Sequence, residues 1–360
     1  MLYALPLSRF IKTRRMRKKK ILFLVGSPNQ TTQMHQIASH LQDEFECWFT
    51  QFFPDSPLEK WALKAGLLNG TIMAGHFKEK ADRYLAEHDL PVDYMGRRNQ
   101  YDLAVLCSDL IVPKRLRNMK TVWVQEGMTD PVNFMTRVVQ KVRVVPRYLT
   151  FNTSLNGASN LCDIYCVASE GYKEHFMRMG THPDKIVVTG MPNYDNLHRY
   201  LNNDFPYRDY VLVVTSDIRE TFRYENRPAF LRQCVRIAAG RPLIFKLHPN
   251  ENAERAIREI REIVGPEVLV FTDGDPYPMI ANCSELICQY STLVYVGIVL
   301  GKKVHSYFDL EQLRRLAPVQ NGGTSAQRIA DLCRQYLVFP HKDGPAFLRS
   351  IGLNSTASVA

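Results

Sequence analysis

The sequence predicts an α/β protein built from two consecutive units, each a parallel sheet covered by helices on both faces. Three observations predict it. Short apolar runs alternate with helical stretches along most of the chain, the pattern of β-α-β units whose strands are buried on both sides. The alternation restarts after residue 192, near the middle of a 360-residue chain long enough for two cores. Polar groups also collect where strands run into helices, at Lys246-Leu247-His248-Pro249 and at Gln289-Tyr290-Ser291-Thr292. That carboxyl edge is where open α/β sheets bind ligands, and helix N-termini there favour phosphate. A handler of phosphorylated, nucleotide-linked substrates is the expectation.

A strand over 21–25 closes on Gly26-Ser27-Pro28, and a helix runs from about 32 to 41. After a polar, helix-rich stretch over 57–87, strands recur over 103–107, 121–124 and 164–168. The helix over 170–179 stops at Gly180, as a C-terminal glycine predicts. A short strand over 185–189 ends at Gly190-Met191-Pro192. The second unit begins with a strand over 210–214 that carries Thr215-Ser216-Asp217 at its end. A helix over 228–239 has Pro228 in its first turn and Gly240 behind it. After a strand over 242–246 comes a helix over 251–264, with Asn250 as N-cap, Gly265 as stop and one apolar face. Strands over 268–271, 286–289 and 303–307 complete the unit, the last two joined by an apolar helix over 292–300.

Charge narrows the function. The formal net charge of +10 suggests nucleic acid until it is located. Eight of the 46 Lys and Arg residues lie in the first twenty positions, which hold no acid, leaving 38 basic against 36 acidic residues elsewhere. The basic character belongs to a tail, so nucleic acid is not an expected partner. That tail places apolar residues (Leu2, Tyr3, Leu5, Leu7, Phe10, Ile11) before its basic run, the reverse of a secretory signal. It reads either as an anchor on an anionic inner leaflet, each basic residue adding about 1 kcal/mol, or as an extension upstream of a start at Met16. No apolar stretch reaches eighteen residues. The eight cysteines are scattered without zinc or disulfide spacing, which fits buried free thiols in a reducing cytoplasm.

Several chemistries lack their motif. There is no G-x-G-x-x-G after the first strand, no Walker A sequence, no G-x-S-x-G elbow and no D-x-D pair. Metal-independent transfer gains, and neither a metal nor a cofactor is expected. His248, with Lys246 and Pro249, is a candidate for the phosphates of a leaving nucleotide, since a donor aimed at developing phosphate charge stabilises the transition state. The alternative is a histidine that bonds locally. Ser291 and Thr292 open a helix where hydroxyls can hold an anion, or where one of them simply caps it. Thr215 and Ser216 share that rim. In the first unit, Gln125-Glu126-Gly127 ends the strand over 121–124, where a base could deprotonate an acceptor hydroxyl and burial could raise its pKa. Its structural alternative is pairing with Arg137 or Arg143. Gly26, Asn29 and His35 form a further polar group on the first strand's rim, on the acceptor side, although His35 also fits an ordinary helix surface.

These residues resemble the GT-B glycosyltransferase superfamily. The resemblance covers roughly 160–310, through Val167-Ala168-Ser169-Glu170, Val187-Val188-Thr189-Gly190-Met191-Pro192, Lys246-Leu247-His248-Pro249 and Gln289-Tyr290-Ser291-Thr292 to Gly301-Lys302-Lys303-Val304. It implies two Rossmann-like domains whose parallel sheets face across a cleft: residues 21–192 on the acceptor side and 193–340 on the nucleotide-donor side. Residues 1–20 are then a basic extension and 341–360 a tail that either packs back across the boundary or ends in disorder. The nearest flavour is the capsule and cell-envelope branch, which includes CMP-sialic acid and CMP-Kdo transferases and CDP-glycerol glycerophosphotransferases. Glu126-Gly127, His248-Pro249 and Ser291-Thr292 match its acidic, His-Pro and Ser/Thr motifs, with Gln125 where the first acid stands. UDP-using relatives place a glutamate after the Ser/Thr turn; Tyr295-Val296-Gly297 stands here instead.

With the free thiols and the tail, the expectation is a cytoplasmic enzyme, in peripheral contact with the membrane if residues 1–20 are an anchor. The resemblance implies that it would move a sugar or glycerol-phosphate-type unit from a cytidine-nucleotide donor to a glycan or lipid-linked acceptor. Glu126 and His248 would be catalytic; Lys246, Pro249, Ser291, Thr292, Thr215, Ser216 and Gly190 would bind donor, and Gly26, Asn29, His35, Gln125 and Gly127 would line the acceptor side. The alternatives are a UDP-N-acetylglucosamine 2-epimerase-like enzyme, whose Asp-Ser-Gly-Gly turn is absent near 289–292, and a non-catalytic nucleotide-sugar-binding protein.

Overall fold

The structure is a computed structural model that describes residues 17–66, 68, 71–142, 147–150, 152–220 and 224–353. Most of the basic N-terminal extension, and Arg143, lie outside the described residues. In the first half, β1 (Lys20–Val25), α1 (Pro28–Ser39), β2 (Glu46–Gln51), α2 (Pro57–Lys64), α3 (Gly75–Glu87) and β3 (Leu103–Leu106) are followed by α4 (Lys114–Arg117), β4 (Lys120–Val124), α5 (Phe134–Lys141), β5 (Ile164–Val167), α6 (Glu170–Met179) and β6 (Ile186–Val188). The second half runs β7 (Val211–Val214), α7 (Arg227–Ala238), β8 (Leu243–Lys246), α8 (Ala253–Val264), β9 (Leu269–Phe271) and α9 (Pro276–Asn282). It ends with β10 (Glu285–Cys288), α10 (Leu293–Val299), β11 (Lys303–His305), α11 (Leu310–Leu316), α12 (Ser325–Val338) and α13 (Gly344–Ser350).

Two parallel sheets result, in the orders β2-β1-β3-β4-β5-β6 and β11-β10-β7-β8-β9. The strands are apolar throughout because both faces are covered; residues Ile21 to Val25 are fully buried. Each sheet has one place where successive strands leave in opposite directions, between β1 and β3 and between β7 and β10. Such switch points open a crevice at the carboxyl ends of the strands. Ser27 lies at the first, and Thr215, Ser216 and Ser291 lie at the second.

Several elements differ from expectation. Helix α1 begins at Pro28 rather than 32, because Ser27 and Gln30 form a reciprocal capping box with proline in the first turn. Strand β2 is an addition to the expected set, since its Glu46-Cys47-Trp48-Phe49-Thr50-Gln51 mixes polar residues into an edge strand. The N-cap of α8 is Asn252, not Asn250. The unit expected over 193–340 also loses its last helix to the other sheet. Ile329, Cys333 and Tyr336 of α12, with Phe347 and Leu348 of α13, join the core of α1, β1, β3, β4 and β5. Lys19 and Lys120 donate to carbonyls at the C-terminal end of α12, where cations are favoured.

The chain therefore crosses between sheets twice, around 189–197 and again around 318–325. Buried Asp195 fastens the two crossings, accepting from the Asn321 (2.6 Å) and Ser325 (2.9 Å) N–H groups. A second core is shared by both halves and contains Trp123, Tyr172, Tyr194, Leu212, Leu286 and Tyr295. The Tyr172 and Tyr295 hydroxyls meet across it at 2.8 Å. All eight cysteines are buried free thiols.

Candidate active site between the two sheets

The carboxyl ends of the sheets face each other. A methyl group on Gly127, just past β4, would lie 3.9 Å from the Thr292 methyl, and Thr292 stands just past β10. Buried Tyr194, from the first crossing, hydrogen-bonds Thr292 and senses the charge of Glu126. Lys80 of α3 in turn contributes to the field at His248.

On the first wall Glu126 is held by the cap of α1. Ser27 donates its hydroxyl to one carboxylate oxygen, and Gln30 Nε2 donates to the other at 2.7 Å. The same two side chains close the capping box, Gln30 N–H to Ser27 Oγ at 3.2 Å and Ser27 N–H to Gln30 Oε1 at 3.3 Å. Neither neighbour is charged, and no cation pairs with Glu126 among the described residues. Burial pushes its carboxyl above the usual range, with Ser27 and Gln30 drawing it part of the way back. The arrangement favours a carboxylate that takes up a proton readily.

On the second wall His248 comes after β8 in a tight turn. Its Nδ1 accepts the Asn250 N–H at 3.2 Å. A neutral imidazole with Nδ1 accepting carries its hydrogen on Nε2. Burial lowers the His248 pKa, with Lys246 and Lys80 pushing the same way against Asp217 and Glu220. His248 is thus set to act as a neutral Nε2–H donor. Ser291 accepts from the Leu293 N–H at 3.3 Å and, like Thr292, is half-buried.

The remaining expected site residues fall into two groups. Asn29, Pro249 and Ser216 stay at the rim. Asn29 and Pro249 are exposed; Asn29 receives the Asn193 side chain on its carbonyl at 2.8 Å, and Ser216 donates to the Tyr290 carbonyl at 3.3 Å. The others serve the framework. Lys246 donates its ammonium to the Leu247 and Thr272 carbonyls at 3.0 Å each, joining the tips of β8 and β9. Gly190 packs against Ser325 and Asn321 at the crossing, where its φ of +83° and the lack of space exclude a side chain. His35 lies between α1 and α3, bonded to the Tyr84 hydroxyl at 3.1 Å and edge-on to His88. Gln125 is buried and ties the β4 tip to the Ala168 N–H (2.9 Å) and the Gly127 carbonyl (3.0 Å). Gly26 is buried where a methyl would collide with Gln30 and Ile72. Buried Thr215 lies under the His248 turn.

Sequence reasoning missed Ser27 and Gln30, whose S-x-x-Q spacing before a helix was the available signal. It also missed the aromatic rim of the second wall. Tyr290 and Tyr307, at the tips of β10 and β11, are 47% and 49% exposed; their rings meet edge-on at 5.4 Å, and the Tyr290 ring also meets Phe308 edge-on at 5.1 Å. Exposed aromatic rings suit the stacking of a base.

No family model matches the chain, and no curated protein matches it. Solved structures do. A UDP-GlcNAc 2-epimerase from Neisseria meningitidis bound to UDP-GlcNAc is 14% identical, with 88% of this chain and 99% of that chain covered at a TM-score of 0.54. A Methanocaldococcus jannaschii UDP-GlcNAc 2-epimerase in complex with UDP-GlcNAc and UDP is 12% identical over 88% and 99%, at 0.51. The S. aureus MnaA-UDP structure is 12% identical over 89% and 97%, also at 0.51. The chain has the GT-B fold. At these identities the likeness speaks for architecture, and GT-B architecture agrees with the two facing switch points of the sheets. Among the described residues no helix is long and apolar enough to cross a membrane.

Proposed function

We propose that the protein is a metal-independent GT-B transferase that moves a sugar or glycerol-phosphate-type unit from a nucleotide-linked donor to an acceptor hydroxyl. Glu126 takes the acceptor proton as the acceptor oxygen forms its new bond. The bond from the transferred unit to the nucleotide phosphate breaks, and its electron pair leaves with the phosphate. His248 Nε2–H and the Ser291 and Thr292 hydroxyls donate to that developing charge. Tyr290 and Tyr307 stack the base. The observation that carries this reading is Glu126 itself, a carboxylate with a raised pKa and no paired cation among the described residues, located where Gly127 meets Thr292. A cytidine-nucleotide donor and a cell-envelope or lipid-linked glycan acceptor complete the proposal; both rest on the motif resemblance.

A second reading is epimerisation of a UDP-amino sugar, favoured by the similar Neisseria structure bound to UDP-GlcNAc. It predicts product without any acceptor. The deciding experiment is a thermal-shift panel of CMP, CDP, UDP and GDP, because a ligand at 100 times its Kd adds about 2.7 kcal/mol of stability. Stabilisation by cytidine nucleotides, lost in His248→Ala, supports transfer. A UDP preference with acceptor-free turnover supports epimerisation, and no response to any nucleotide removes both.

A further inference from the structure

The His248 turn rests on buried charged groups that the proposed chemistry does not use. Thr215, at the tip of β7, accepts the His248 N–H at 3.0 Å and donates its hydroxyl to one oxygen of Glu251. The Glu251 N–H returns to the His248 carbonyl at 3.0 Å and closes the turn. The other Glu251 oxygen accepts from Arg227 at 2.6 Å, and Arg227 also meets Glu225 at 3.3 Å. The Arg227 and Glu251 side chains are 2% and 0% exposed. Arg219 reaches Glu225 and Glu259 from the margin at 3.1 and 2.8 Å. Taking such charges out of water is costly, and a well-packed apolar cluster would often hold the fold as well. What this cluster does that an apolar one could not is hold the Thr215 hydroxyl, which in turn accepts the His248 N–H.

We propose that Glu251, acting through Thr215 and backed by Arg227, is a positioning residue that fixes the His248 turn so that the ring presents Nε2–H to the cleft. The geometry requires a rigid backbone. The Asn250 N–H selects the tautomer by occupying Nδ1, and it can do so only while residues 248–251 hold their turn. Asp217, 3.8 Å from Nδ1, is engaged by the Asn250 side chain at 3.2 Å, which keeps the carboxylate beside the ring rather than replacing the backbone donor. Lys246, Glu220 and Lys80 are the other charges acting on the ring. A loosened turn would free Nδ1 and let the hydrogen exchange between the two nitrogens. The functional consequence rests on the donor-phosphate role proposed for His248; the tautomer itself does not.

The test reads the His248 ring nitrogens by NMR in the full chain, beside the affinity for CDP. Wild type and Thr215→Ser should both hold the Nε2–H form. Thr215→Val should mix the two tautomers and weaken CDP binding roughly tenfold, about the worth of one hydrogen bond to a charged group. A wild-type ring in the Nδ1–H form, or a Thr215→Val ring unchanged from wild type, overturns the inference. Should Thr215→Val fail to fold, the near-isosteric Glu251→Gln must shift the ring signals, and an unchanged ring there is equally fatal. Mixed tautomers with unaltered CDP affinity would uphold the positioning role and remove His248 from the donor phosphate.

Discussion

The two walls of the cleft hold their key side chains by opposite means. Glu126 is gripped by two neutral side chains borrowed from a helix cap, with no opposing charge among the described residues. The His248 ring is held by one backbone N–H, from Asn250, and its own N–H is held by the Thr215 hydroxyl, with a charged cluster buried beneath. A carboxylate left without a cation is free to change protonation state, whereas an imidazole pinned at Nδ1 is kept in one state. The first arrangement suits a group that must accept a proton, and the second suits one that must only donate a hydrogen bond.

Removing the base should break this contrast most severely. Glu126→Gln is expected to lower turnover by roughly 100- to 10,000-fold, the usual worth of general-base catalysis, while sparing nucleotide affinity. Full residual activity would leave Glu126 without a catalytic role. His248→Ala should lower turnover roughly 100-fold and nucleotide affinity with it, as for a lost donor at developing charge; kinetics that separate the two effects would contradict a phosphate contact. Tyr290→Ala should weaken nucleotide binding roughly tenfold, within the range for one base stacked on one ring, and Tyr290→Phe should restore it. A failure of phenylalanine to rescue would point to the hydroxyl instead.

Smaller effects sharpen the comparison through pH. Ser27 lowers the Glu126 pKa, so Ser27→Ala should move the acidic limb of the rate profile upward and cost about 1 kcal/mol of stability as a lost N-cap. An unmoved limb would detach Ser27 from the base. Stability carries the sign of the shift as well. The folded Glu126 pKa lies above the unfolded value of 4.5, so its ionisation works against the fold at neutral pH and ceases to do so as pH falls towards 4.5. Glu126→Gln should therefore raise Tm at pH 7 and lose that advantage near pH 4.5. Equal melting at both values would argue against a raised pKa.

The fold was legible because parallel strands buried on both faces are written as apolar runs, as in Ile21 to Val25 or Val211 to Val214. Strand β2 escaped because an edge strand tolerates Glu46 and Gln51 at its ends. The strand-tip positions of Glu126, His248, Ser291 and Thr292 could be read from the turn and helix signals downstream of each strand. Which way a tip residue points could not. Lys246 lies on such a tip, yet its long stem turns to the carbonyls of Leu247 and Thr272. Gly190 lies on another, yet the partner that needs its missing side chain is Ser325, more than a hundred residues away. Periodicity likewise marks the apolar face of α12 without telling which sheet it covers.

The return of α12 and α13 to the first sheet makes the second lobe, topologically, an insertion within the first. Its two ends enter and leave side by side at Asp195. A fragment cut after residue 192 would lack the helices that cover Ile21, Phe23 and Cys166, and should be poorly soluble. The lobe between the crossings, with its own strand order and core around Phe230, Phe245 and Ile260, is the better candidate for excision or exchange. Paired entry and exit also give the cleft two covalent straps instead of one, which restricts the lobes to rotation about the line joining them.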